Sequence, residues 1–82
     1  MPTLLIKVTE KWSKSPIPEA LVYVNGKYVD KTNEKGELSI EMTTGSAKVE
    51  AKKVGFDDYV QSLVLAANVV INIIMTPVVR AL

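Results

Sequence analysis

The stretch Ala20-Leu21-Val22-Tyr23-Val24-Asn25-Gly26-Lys27-Tyr28-Val29 decides the fold. Two runs rich in Val and Tyr flank Asn-Gly, the dipeptide that most readily supplies positive φ at both central positions of a type I′ turn. A two-residue loop there sets Val24 opposite Lys27, Tyr23 opposite Tyr28 and Val22 opposite Val29. The Val pair then faces inward and the Tyr pair outward. Such cross-strand pairs contribute roughly 0.2–1 kcal/mol each. Turn chemistry and hydrophobic pattern agree, so a β-hairpin is expected here.

The same period of two recurs on both sides of the hairpin. Leu4, Ile6 and Val8 share one face of a first strand, with Leu5, Lys7 and Thr9 on the other. Leu38, Ile40 and Met42 alternate with Glu37, Ser39 and Glu41, and Ala47, Val49 and Ala51 with Lys48, Glu50 and Lys52. Residues 60–65 and 69–75 complete the set. Turn signals separate the runs: Asn33-Glu34-Lys35-Gly36, Thr43-Thr44-Gly45-Ser46, Gly55-Phe56-Asp57-Asp58 and Ala66-Ala67-Asn68. Pro16 and Pro18 keep the segment before Ala20 out of a central strand. No helical stripe of useful length is visible. About seven short strands predict an all-β, two-layer antiparallel β-sandwich. One domain over 1–77 is expected, with a tail over 78–82.

The chain has 82 residues and a formal net charge of +1, with no Cys and no His. The near-balance of charge leaves no basic footprint for nucleic acid. The two missing residue types exclude Cys- and His-based zinc sites, Ser-His-Asp triads and imidazole acid–base chemistry. Hydrophobic residues make up 48%, which argues against disorder. The longest charge-free stretch, 59–79, is interrupted by Gln61, Ser62, Asn68, Asn72, Thr76 and Pro77, too often for a helical membrane span. Met1-Pro2-Thr3-Leu4-Leu5-Ile6-Lys7 lacks the basic start and apolar length of a signal peptide. Nine lysines and a single Gln carry a weak thermophilic signature.

Several segments together resemble PEGA and carboxypeptidase-regulatory-like domains. Pro18-Glu19-Ala20-Leu21-Val22-Tyr23-Val24-Asn25-Gly26 is similar to their opening of proline, small residue, alternating valine strand and tight turn. Thr32-Asn33-Glu34-Lys35-Gly36-Glu37-Leu38, Gly45 followed by Val49 and Ala51, Val54-Gly55-Phe56 and Met75-Thr76-Pro77 resemble later steps in the same order. The glycine of the Pro-Glu-Gly-Ala run is missing from Pro18-Glu19-Ala20. The resemblance covers about residues 3–77. It implies a transthyretin-like (prealbumin-like) seven-stranded sandwich, a place on the cell surface, a contact or spacer role, and no enzyme or cofactor.

Read by themselves, the polar residues give no catalytic or metal constellation. Asp57-Asp58 is a turn pair, since adjacent strand residues point to opposite faces. Asp30 to Gly36 lacks the acidic spacing of a calcium loop and contains two lysines. Lys48, Lys52 and Lys53 beside Glu50 read as a solvated strand face. Trp12, Tyr23 and Tyr28 form a possible ligand platform, against a sheet-stabilising aromatic pair. Asn72 stands where the pattern asks for an apolar side chain, and a buried amide there must find partners. It could find backbone or partner-chain bonds, or an isopeptide link to Lys7 of the kind joining first and last strands in collagen-adhesin repeats, assisted by Glu41 or Glu50. Lys7 is out of phase with Ile6 and Val8, so no link is expected.

The last strand is apolar on both faces. Val69, Ile71, Ile73 and Met75 fill one; Val70 and Ile74 flank Asn72 on the other, with Leu5 beside them and Val64 a candidate neighbour. Strands apolar on both faces are covered on both faces. The expected function is therefore a non-catalytic structural or interaction module, self-associating as dimer or filament or docking on a larger cell-surface assembly. Its expected interface is Leu5, Val64, Val70, Asn72 and Ile74, with Val78, Val79 and Leu82 of the tail. The alternative is a carbohydrate-binding module using Trp12, Tyr23 and Tyr28.

Overall fold

The computed structural model describes residues 2–78. Seven strands follow in chain order: β1 (Thr3–Glu10), β2 (Leu21–Val24), β3 (Lys27–Lys31), β4 (Glu37–Glu41), β5 (Gly45–Lys52), β6 (Tyr59–Leu65) and β7 (Val69–Met75). They form two sheets, ordered β4-β1-β7 and β3-β2-β5-β6. The all-β sandwich expected from the sequence is what forms.

Alternation places the core. Leu4, Ile6 and Val8 of β1, Ile71, Ile73 and Met75 of β7, Val22 of β2 and Val49 and Ala51 of β5 are buried between the sheets. The intervening residues of each strand turn outward, as period two requires. β4 pairs antiparallel with β1, and β7 pairs parallel with it, Lys7 lying beside both Glu37 and Asn72. A parallel neighbour needs a connection across the sandwich. Asn68 helps fix that register, its Oδ1 accepting from Thr3 N at 2.8 Å.

The hairpin at Asn25-Gly26 forms, with φ of 51° and 83°. Val24 pairs with Lys27 and Tyr23 with Tyr28, but Val22 pairs with Asp30 because a β-bulge lies between Val22 and Tyr23. The bulge adds Val29 as an unmatched residue, so the expected inward Val22–Val29 pair does not form and Val29 is exposed. Open space surrounds the position a Cβ would take at Gly26. Gly26→Val should therefore cost only the strain of positive φ in a β-branched residue, about 1 kcal/mol. Urea unfolding checks this; an unchanged midpoint would refute it.

The segment after β7 returns to the loop between β5 and β6. Asp57 N donates to Thr76 O and Val78 N to Gly55 O, both at 2.9 Å, around a bridge between Phe56 and Pro77. The expected division at residue 77 is thus crossed by a hydrogen bond. Val79 and Leu82, expected at an interface, lie outside the described residues.

Candidate functional site

The sandwich presents two outer faces and two sides. On the outer face of the first sheet, Leu5 lies beside Val70, Lys7 beside Asn72 and Thr9 beside Ile74. Val70 and Ile74 are 55% and 47% exposed, and Asn72 is exposed between them. The structure therefore brings Leu5, Val70, Asn72 and Ile74 together. Val64, at 73% exposure, belongs to β6 of the other sheet and points from the opposite outer face, so it is not part of this patch. Sequence periodicity assigned its face but could not assign its sheet.

Asn72 is not the buried amide that its apolar neighbours suggested. It lies in register with Lys7, whose Nζ sits 3.8 Å from Glu37 at the surface. Neither acid expected to assist a cross-link is adjacent: Glu41 pairs with Thr3, and Glu50 belongs to the second sheet. The intact mass of the chain should accordingly equal the sequence mass. A mass lower by one ammonia would show that the link forms.

The aromatic platform is smaller than expected. Tyr23 and Tyr28 meet edge to face, with ring centroids 5.6 Å apart, on the outer face of the second sheet. Lys52 Nζ lies 5.1 Å from the centre of the Tyr23 ring. Trp12 sits in the turn after β1, with Lys11 Nζ 5.9 Å from its ring. That turn is built around Glu10, which accepts hydrogen bonds from the Ser13 hydroxyl and from Trp12 N. The Ser13 bond first, and the Trp12 backbone bond second, hold the Glu10 carboxyl below its ordinary range.

An open cleft of about 410 Å³ lies at one end of the second sheet, lined by Glu19, Leu21, Lys52, Lys53, Val54 and Asp58. Leu21 and Lys52 are register partners, which draws the segment before β2 and the loop after β5 to one place. Two acidic and two lysine side chains line it together with the exposed apolar side chains of Leu21 and Val54. Read one at a time, Asp58 was a turn residue and Lys52 and Lys53 a solvated face. Only the pairing of β2 with β5, 31 residues apart at Leu21 and Lys52, makes them neighbours. Among the described residues no group of three acidic residues is placed to hold a metal ion. No helix there is long and apolar enough to cross a membrane.

No protein-family model and no curated protein matches the chain. The solved structure of Klebsiella pneumoniae 5-hydroxyisourate hydrolase is similar to it, with a TM-score of 0.73 at 14% sequence identity, over 94% of this chain and 91% of that one. The fold is transthyretin-like. This likeness corrects the expectation of a non-catalytic module and the exclusion of an enzyme. The exclusion rested on the missing His and Cys, on polar residues that show no cluster along the sequence, and on the family resemblance, yet the same architecture carries a hydrolase. The missing His and Cys remove particular mechanisms; they leave carboxylate and ammonium chemistry open.

Proposed function

We propose that this chain is the protomer of a homo-oligomer, joined through β7 and the face formed with β1, and that it belongs with PEGA and carboxypeptidase-regulatory-like domains. The kinship is supported by the order of the quoted segments along the chain. The oligomer is supported above all by one observation: Val70 and Ile74 are about half exposed on a strand that has no charged residue. Leu5 extends the patch. Sheet edges that must stay apart usually carry charge, proline or a bulge. Sedimentation equilibrium tests the oligomer, with a dimer or larger species expected at about 0.1 mM. A monomer at about 1 mM would overturn it. Replacing Val70 and Ile74 together with Thr should weaken association about 100-fold while leaving the β spectrum unchanged.

A second reading is hydrolysis of a small molecule in the cleft. It is supported by the fold shared with 5-hydroxyisourate hydrolase and by the meeting of acids with lysines around one cleft. Asp58 or Glu19 would take a proton from water, and Lys52 or Lys53 would face the oxyanion. The test follows the absorbance of 5-hydroxyisourate with wild-type protein and with Asp58→Asn. A rate equal to the protein-free rate rejects this reading for that substrate.

A further inference from the structure

The two sides of the sandwich differ in how they are guarded. On one side the sheets end in β3 and β4, which carry Lys27, Asp30, Lys31, Glu37 and Glu41. On the other they end in β6 and β7, which lie against each other across the sandwich and carry no charged residue. A head-to-tail contact would press the uncharged side onto the charged one. A twofold contact presses uncharged onto uncharged, and it closes after two copies.

The backbone of β7 fixes how such a contact is made. Lys11 N donates to Met75 O at 3.1 Å, so the polar backbone groups of Met75 face β1. Directions alternate along a strand. Ile71 and Ile73 therefore also face β1, while the N–H and C=O groups of Val70, Asn72 and Ile74 point away from it. Among the described residues no strand pairs with β7 on that side. We infer that a second copy of this chain pairs there, antiparallel, with the twofold axis at Asn72. Asn72 then exchanges both backbone hydrogen bonds with the partner subunit's Asn72. Val70 does the same with the partner's Ile74, and Ile74 with the partner's Val70.

This register resolves the one polar residue in an apolar strand. Any other register sets Asn72 beside an aliphatic side chain or beyond the paired segment. At the axis the two amides lie side by side and can bond to each other, which selects register by penalising the alternatives. The two three-stranded sheets become one of six strands, ordered β4-β1-β7-β7-β1-β4. Leu5 and Val70 of each copy then line up with the partner's Ile74, so two apolar rows flank the row of Asn72 and Lys7. The inference rests on the oligomer proposed above and adds its register and symmetry.

The chain has no cysteine, so single substitutions report on the register without background. Partners exchanging both bonds have Cα atoms about 5.5 Å apart, inside the disulfide range of about 4.4–6.8 Å. Asn72→Cys should give a disulfide-linked dimer as the main product under mild oxidation. Val70→Cys alone should not, because its twofold mate lies about 13 Å along the strand. Val70→Cys mixed with Ile74→Cys should give the mixed dimer. Far-ultraviolet spectra confirm that each variant folds. A wild-type dimer in which Asn72→Cys links no faster than Val70→Cys overturns this register and leaves the oligomer standing. A wild-type monomer at about 1 mM overturns both.

Discussion

Gly36→Ala should lower the thermal midpoint by roughly 10–20 °C, the largest effect expected of any single methyl in this protein. Gly36 has φ of +71°, in the left-handed region. A Cβ there would lie 2.6 Å from Val8 O, 3.0 Å from Ile17 N and 3.1 Å from Pro16 Cβ. Those backbone atoms are not free to retreat. Val8 N donates to Gly36 O at 2.8 Å, and Ile17 N donates to Val8 O at 3.0 Å, so each is tied into the same junction. Left-handed strain adds about 1–3 kcal/mol for a non-glycine residue, and overpacking about 1–3 kcal/mol more. A domain of this size has only about 4–12 kcal/mol in total. Gly26→Ala is the control, because open space surrounds that position. A fall of less than about 3 °C for Gly36→Ala would show that the junction relaxes around the methyl.

Thr32→Val should cost about 1–3 kcal/mol although it keeps the volume of the side chain. Thr32 is the one polar residue buried among those described. Its hydroxyl donates to Ile17 O at 2.7 Å and accepts from Ala20 N at 2.9 Å. Its backbone N also donates to Ala20 O at 3.0 Å, and its O accepts from Glu19 N at 3.0 Å. Four bonds from one residue thus tie the segment before β2 to the end of β3. Valine would leave the Ala20 N–H and one Ile17 lone pair unsatisfied in a buried place. Thr32→Ser keeps the hydroxyl and should recover most of the loss. Denaturant midpoints for the pair decide the matter. Valine within about 0.3 kcal/mol of wild type would show that the hydroxyl bonds contribute no net stability.

The strands themselves were legible because burial on one face leaves a period of two in the side chains. Leu4, Ile6 and Val8 announce their common face, and Asn25-Gly26 announces its turn. The outward placement of Lys7, Val70 and Ile74 followed from the same alternation. The bulge at Val22 did not, because one additional residue in a strand leaves the local pattern intact on either side. Asn72 was misread as buried because its neighbours in sequence are apolar, whereas burial depends on neighbours in space.

Sequence by itself determined the secondary structure, the two faces of each strand and the absence of thiol and imidazole chemistry, since these depend on residue type and local spacing. Tertiary structure alone decided which strands share a sheet. That choice put Val64 on one outer face and Val70 on the other, left β7 without a second strand partner among the described residues, and drew Glu19, Lys52, Lys53 and Asp58 around one cleft. It also turned Thr32 and Gly36 from turn residues into the junction on which the sandwich closes. The physical reason is that strand pairing joins residues far apart in the chain through backbone groups that every residue carries, so partner choice leaves little trace in local sequence.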